Sequence, residues 1–301
     1  MFPSFLPPDV ENLTEPTSIA LAQRIQRQGI PTPLREEAIV TSFVRDGSGD
    51  PPILLLHGFD SSLFEFRRLL PLLSPYFETW ALDLLGFGFG DRPVGLPTPA
   101  AIKTHLHSFW QEAIARPVIL VGVSMGGAAA IDFTLSYPDA VDRLVLVDSA
   151  GFAKAPVMSR FLFPPLGYWA TEFLRNPRVR QKISEQAYYD RTFASVDAAV
   201  CAALHLKMPG WSEATISFTK SGGYGFLRDK IGRIEKDTLI LWGDRDRIIG
   251  VKDATRFEEE IAGSKLIWIP ECGHVPHLEK PRETARHIVN FSGRAIEASD
   301  F

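Results

Sequence analysis

The sequence is poor in the residues that mark a specialised scaffold. Of its 301 residues only two are cysteine. Cys201 and Cys272 stand 71 positions apart with no CxxC or Cys/His spacing, a pattern that argues against a disulfide framework or a zinc site. Two small apolar side chains in a reducing compartment is the expectation. An excess of positive charge is also missing: 32 Lys and Arg face 36 Asp and Glu, for a formal net charge of −4. Nothing in that balance draws nucleic acid or a polyanion. No apolar run approaches the roughly 20 residues that span a bilayer. The first basic residue is Arg24, preceded by Asp9, Glu11 and Glu15, unlike a secretory or transit segment. The expectation is a cytoplasmic chain, bacterial or relieved of its targeting segment. Internal repeats and low-complexity tracts are absent as well.

What is present is an ordinary globular composition, 45% hydrophobic and 23% charged, long enough for one large α/β domain or two small ones. Residues 17–29 read as a short amphipathic helix ending at Gly29. The stretch EEAIVTSFVRDG that follows reads as one or two antiparallel strands. From Pro52 the rhythm becomes strand, loop, helix. The runs ILLLH (53–57), TWALD (79–83), VILVG (118–122), RLVLVD (143–148), TLILWGD (238–244) and KLIWIP (265–270) are continuously apolar, as in a parallel sheet covered on both faces. Helical patterns fall near 61–73, 100–115, 124–137, 252–262 and 281–292. The alternation predicts an α/β fold, a mostly parallel doubly wound sheet with right-handed crossovers. About 90 residues separate Asp148 from Thr238, too many for an unstructured connection. Residues 151–234 are therefore expected to form a helical cap inserted after the sixth strand, with 1–150 and 235–301 as the core.

Chemistry concentrates where the run VILVG meets a small-residue helix. Gly122-Val123-Ser124-Met125-Gly126 fits the G-x-S-x-G nucleophile elbow, weak as a bare pentapeptide but set here between strand and helix, as that motif requires. The turn lifts a serine hydroxyl above the sheet edge, and the helix start aims N–H groups at the same point. A serine needs a base, and the base an acid to fix its tautomer. In this motif's chain order the acid and then the histidine follow the serine. His274, in IPECGHVPHLEKP, follows the last strand and is the expected base, with His277 packing or lining the entrance. For the acid, LILWGDRDRIIG offers Asp244 and Asp246, and LVLVDSAGF offers Asp148; loop position favours Asp246, with Asp148 the alternative. Oxyanion donors are expected at the N–H groups of Met125 and Phe59, the latter in HGFDSS. His57 reads as a structural hydrogen-bonding residue. The glycine-rich DLLGFGFGDRP (83–93) does not open a helix with dinucleotide spacing. No metal or organic cofactor is called for.

From about 52 to 292 these residues resemble the α/β-hydrolase superfamily. The stretches LLLHGFDSSLFEFRRLLPLL, ETWALDLLGFGFGDRP, RPVILVGVSMGGAAAIDFTLSYPDAVDRLVLVD, LHLKMPGWSEATISFTKSGGYGF and CGHVPHLEKP are similar to the chlorophyll dephytylases of plastids and cyanobacteria. That resemblance implies hydrolysis of the phytyl ester of chlorophyll to chlorophyllide and phytol, with Ser124, Asp246 and His274 as triad and Phe59 and Met125 as oxyanion donors. The elbow departs from the family's usual G-P-S-L-G-A, placing Val123 and Met125 beside the acyl pocket. Val123, Asp148, Trp169 and Met208 complete the expected substrate contacts.

The aromatic residues Phe161, Phe163, Tyr168, Trp169 and Phe173, with Phe2, Phe5 and Leu6, could dip into a lipid surface such as the thylakoid to collect an amphiphilic ester. Packing of cap onto core is the plainer reading of the same residues. The rival functions are a general esterase, lipase or carbon–carbon hydrolase with the same triad, and a ligand receptor that retains it.

Overall fold

The computed structural model describes residues 1–152 and 166–294. Eight strands form one sheet among these residues: β1 (Gln26–Thr32), β2 (Arg35–Asp46), β3 (Ile53–Leu56), β4 (Thr79–Leu82), β5 (Val118–Val123), β6 (Val141–Val147), β7 (Thr238–Gly243) and β8 (Lys265–Ile269). Their spatial order is β1-β2-β4-β3-β5-β6-β7-β8. The β1/β2 and β2/β4 pairs are antiparallel and the five pairs from β4/β3 to β7/β8 parallel. Around the sheet lie α1 (Pro16–Arg24), α2 (Leu70–Leu73), α3 (Pro99–Phe109), α4 (Met125–Ser136), α9 (Lys252–Glu260), α10 (Pro276–Glu279) and α11 (Pro281–Phe291). Between β6 and β7 come α5 (Leu166–Arg175), α6 (Pro177–Ala187), α7 (Val196–Ala203) and α8 (Trp211–Lys220).

The apolar strands explain the layering. Side chains alternate across a strand, so Leu54, Leu120, Leu144, Leu146 and Ile240 enter one buried cluster while Ile53, Leu55, Ile119, Val121, Val145 and Leu239 enter another on the opposite face. Both faces are covered, as the continuous runs imply. Two readings of the sequence are corrected. The first helix stops at Arg24, and Gln26–Gly29 pairs antiparallel with Val40–Phe43, because strand pairing captures a polar stretch whose helical periodicity is weak. The segment 61–73 is not one helix: a 3-10 turn at Leu63–Phe66, held by the Ser62 hydroxyl on the Phe64 N–H, precedes α2, which begins beside Pro71. Proline in a helix interior removes a hydrogen bond.

The N-terminal apolar residues also find partners. Leu6 is buried and Phe2 and Phe5 pack partly against the same face as α11, so they contribute to the core rather than to an open apolar surface. Phe161 and Phe163 lie outside the described residues.

Backbones approach closely at the β5–α4 junction. A Cβ added at Gly126 would sit 2.1 Å from the Leu56 carbonyl oxygen, and one at Gly122 2.4 Å from that of Gly126. Backbone offers no soft atom to move, so Gly126→Ala should lower stability by about 2–4 kcal/mol, as overpacking does. Urea denaturation at unchanged m-value is the check; a loss within measurement error would show that α4 can slide away from β3.

Candidate active site

The β5–α4 turn places Ser124 at φ 51°, ψ −118°, a conformation that a non-glycine residue holds only when its surroundings fix it. Those surroundings are hydrogen bonds. The Ser124 N–H donates to Val147 O at 3.0 Å, and its carbonyl accepts from Gly127, Ala128 and Ala150 N–H groups at 3.0–3.3 Å. Its side chain makes no capping bond to α4, and the residue lines a cavity of about 320 Å³.

His274 lines the same cavity. Its Nδ1 lies 2.9 Å from Asp246 Oδ2, while Asp246 Oδ1 accepts the N–H groups of Ile248 at 2.7 Å and Ile249 at 3.2 Å. Burial pushes the Asp246 carboxyl up, but the His274 hydrogen bond and charge and those two N–H donors reverse the effect and hold it below its ordinary value. The ionised carboxylate accepts an N–H at Nδ1, which leaves Nε2 as the ring's base. The main chain of His274 is fixed too, its N–H donating to Ala187 O at 2.7 Å.

The alternative acid, Asp148, lies behind this pair. It is fully buried and accepts the Gly243 N–H at 3.1 Å. Burial and the neighbouring Asp246 charge raise its pKa well above the ordinary value, so of the two carboxyls Asp148 holds its proton the more tightly. Asp148, Asp246 and His274 bring ligand-type atoms within 4.8 Å of one another. Asp246 and His274 are bonded to each other and Asp148 is the carboxyl that burial disposes to keep its proton, so the set fits a proton network rather than a cation. The third candidate, Asp244, instead accepts the Cys272 N–H at 3.3 Å and pins the loop before His274.

The loop after β3 closes the other side. Both His57 ring nitrogens are spent on main chain, Nδ1 on Gly58 O at 2.8 Å and Nε2 on the Leu84 N–H at 3.1 Å, a structural role as the sequence suggests. The Gly58 N–H donates to Glu65 Oε2 at 2.9 Å, and a Cβ on Gly58 would lie 3.2 Å from Glu65 Oε1 and 3.5 Å from Ser124 Cβ. Glu65 thereby fixes the main chain leading into Phe59, which lines the same cavity as Ser124. Val123 and Phe59 line the cavity; Asp148, Trp169 and Met208 do not. Trp169 is 68% exposed on α5, and Met208 packs partly against the core. Met125 is buried and begins α4. His277 is fully buried, and burial followed by the His274 and Arg67 charges takes its pKa down to about 3, so it stays neutral and lines no entrance.

Several site residues carry no motif in the sequence. Arg67 is buried on the cavity wall, and its Nε lies 3.9 Å from both Glu15 and Asp197. Asp60 receives Arg180 Nη1 at 2.7 Å, Trp211 Nε1 at 2.7 Å and His205 Nε2 at 3.2 Å, tying the β3 loop to the helices between β6 and β7. Glu279 accepts the N–H groups of Tyr189, Asp190 and Gly273 at 2.7–3.1 Å. Only the charge of Asp60 within HGFDSS and of Glu279 within HLEKP could have pointed to them. Both cysteines are buried and reduced, and burial raises the Cys201 thiol to about 12.

A family profile described as "Alpha/beta hydrolase family" matches residues 53–287. Among curated proteins, the chain is 35% identical over 301 residues to "Alpha/beta hydrolase domain-containing protein VTE7" of Arabidopsis thaliana, covering 97% of this chain and 90% of that one. It is 27% identical to the 2-hydroxy-6-oxo-6-(2'-aminophenyl)hexa-2,4-dienoic acid hydrolase of Metapseudomonas resinovorans, covering 95% and 96%. Among solved structures, a thermophilic esterase from Thermogutta terrifontis superposes with a TM-score of 0.75 at 23% identity, over 89% of this chain and 98% of that one, a likeness of fold.

Burial pushes the Asp60 carboxyl up, but the His205 hydrogen bond and charge and the Arg180 pair bring it down to about 2. A depressed carboxyl pKa stabilises the fold above the unfolded value and loses that contribution as pH falls through the folded one. Asp60→Asn should therefore cost about 2 kcal/mol near neutral pH, with the difference shrinking between about pH 4 and pH 2. Urea titrations of both proteins across that range measure it; a difference independent of pH would show that the charge of Asp60 is not what binds these elements.

Proposed function

This chain belongs to the alpha/beta hydrolase family, and we propose that within it the protein is a serine hydrolase of carboxylic esters. One observation carries the reading: the Asp246–His274 hydrogen bond of 2.9 Å, with His274 and Ser124 on the wall of one cavity. In this scheme His274 Nε2 takes the Ser124 proton as Oγ adds to the ester carbonyl. The N–H groups of Phe59 and Met125 meet the tetrahedral oxyanion. Collapse breaks the bond to the alkoxy group, which leaves with the proton returned by His274. Water, losing its proton to the same nitrogen, then adds to the acyl-enzyme and frees the acid and Ser124. Asp246 stays ionised throughout and stabilises the imidazolium.

The substrate we propose is the phytyl ester of chlorophyll. The resemblance of the core and of the 204–226 stretch to the dephytylases supports it, as does a cavity whose wall includes the apolar Phe59, Val123, Leu174, Ile183, Val275 and Leu278. Trp169 and Phe173 are 68% and 64% exposed on α5, and we propose that they meet the lipid surface from which such an amphiphile is drawn. No helix among the described residues is long and apolar enough to cross a membrane.

Purified protein incubated with chlorophyll a in detergent should yield chlorophyllide and phytol, and Ser124→Ala should yield neither. Intact pigment beside cleavage of a nitrophenyl ester would keep the ester hydrolase and remove this substrate. On any ester that is turned over, Asp246→Asn should lower kcat by about 10³–10⁴-fold. Asp148→Asn should stay within about tenfold of wild type, since Asp246 and not Asp148 is hydrogen-bonded to His274. Equal losses from the two substitutions would move the acid's role to the pair.

A further inference from the structure

A second chamber, of about 360 Å³, adjoins the catalytic cavity and shares Phe59 and Leu174 with it. Its remaining wall comes from α5, α8 and the turn after α8. Among the described residues no charged side chain lines it. The three threonines that do have spent their hydroxyls inside the helices: Thr171 on Tyr168 O at 2.9 Å, Thr215 on Trp211 O at 2.8 Å and Thr219 on Thr215 O at 2.8 Å. Two glycines of the wall have spent their N–H groups likewise, Gly222 on Thr219 O at 3.2 Å and Gly223 on the Ser221 hydroxyl at 3.3 Å. An occupant therefore meets methyl groups, Ile216 and the rings of Phe59 and Phe218, whose centroids are 5.7 Å apart.

The two spaces differ in kind. The catalytic cavity carries Glu65, Arg67 and Arg180 beside Ser124 and His274, whereas among the described residues the chamber offers an occupant no charged group and no free side-chain donor, only the acceptor lone pairs left on three threonine hydroxyls. A polar molecule placed in the chamber would leave its own acceptors and most of its hydrogen bonds unmade, at a cost that hydrocarbon avoids. Phe59 joins the two. Its N–H belongs to the proposed oxyanion site, and its ring, on a residue 41% exposed, forms part of the chamber wall.

The geometry points to the chamber as the binding site for the long hydrocarbon chain of the ester's alcohol, with the polar acyl half in the catalytic cavity and Phe59 and Leu174 at the crossing. This assignment rests on the ester-hydrolase reading above and adds where in the molecule the long, unfunctionalised alcohol of such an ester is held.

The test is a series of acetate esters of ethanol, octanol, hexadecanol and phytol, run beside nitrophenyl esters of increasing acyl length. Wild-type kcat/KM should rise with alcohol length. Thr219→Trp or Ala170→Trp, each filling the chamber, should lower kcat/KM for hexadecyl acetate by about 50-fold or more, the loss of about three buried methylenes. Ethyl acetate should stay within about twofold of wild type. A flat dependence on alcohol length in the wild type would overturn the assignment, as would losses that follow acyl length instead. Calorimetric titration with hexadecanol reads the same chamber without turnover. Binding to wild-type protein that weakens in either variant supports the assignment even where Ser124→Ala cleaves as fast as wild type and the nucleophile reading fails. Absence of binding to wild-type protein overturns it.

Discussion

The site depends first on the close approach of α4 to the β3 and β5 strand ends. Gly122 and Gly126 leave no room for a side chain between those backbones, and that contact forces the chain to turn sharply at Ser124. The left-handed backbone there costs on the order of 1–3 kcal/mol, offset by four main-chain hydrogen bonds through Ser124 N–H and C=O. Because the strain is borne by backbone pairing with β6 and α4, the hydroxyl is left free of any structural duty. The neighbouring loops then assemble around this fixed point, the β3 loop through His57 and Glu65 and the two acid-bearing loops through Gly243 and Ile248.

Charge placement follows from burial. Asp148 and Asp246 stand close together, and a buried pair of carboxyls cannot both ionise cheaply. Two N–H donors and His274 settle which one does, in favour of Asp246. Asp60 and Glu279 apply the same physics at the seam between the sheet and the helices that follow β6. Each is a buried acid satisfied by several donors, and each sits within a few residues of a proposed catalytic group, Phe59 or His274. The seam thus holds the catalytic loops as well as the helices above them, and the two cavities lie along it.

Much of this was legible in the sequence because parallel strands buried on both faces read as unbroken apolar runs, and six such runs became β3 to β8. The elbow was legible for a related reason, since the glycines its packing requires stand at fixed offsets from Ser124. Positions set by long-range pairing were not legible. Gln26–Gly29 looks helical until β2 provides a partner, and nothing in FEFRR shows that Glu65 will grip Gly58 or that Arg67 will be buried. Trp169 and Met208 were named as substrate contacts on aromatic character and cap position, yet α5 turns Trp169 outward and Met208 packs on the core. Side-chain direction on a short helix depends on its neighbours, which a single chain does not display.

The central claim is that Ser124, activated by His274, is the nucleophile. It is tested most directly by treating the protein with a fluorophosphonate and locating the adduct by peptide mass spectrometry. The account predicts one adduct, on Ser124, whose formation slows by orders of magnitude in His274→Ala. An adduct on another residue, or labelling of Ser124 at an unchanged rate without the histidine, would contradict it.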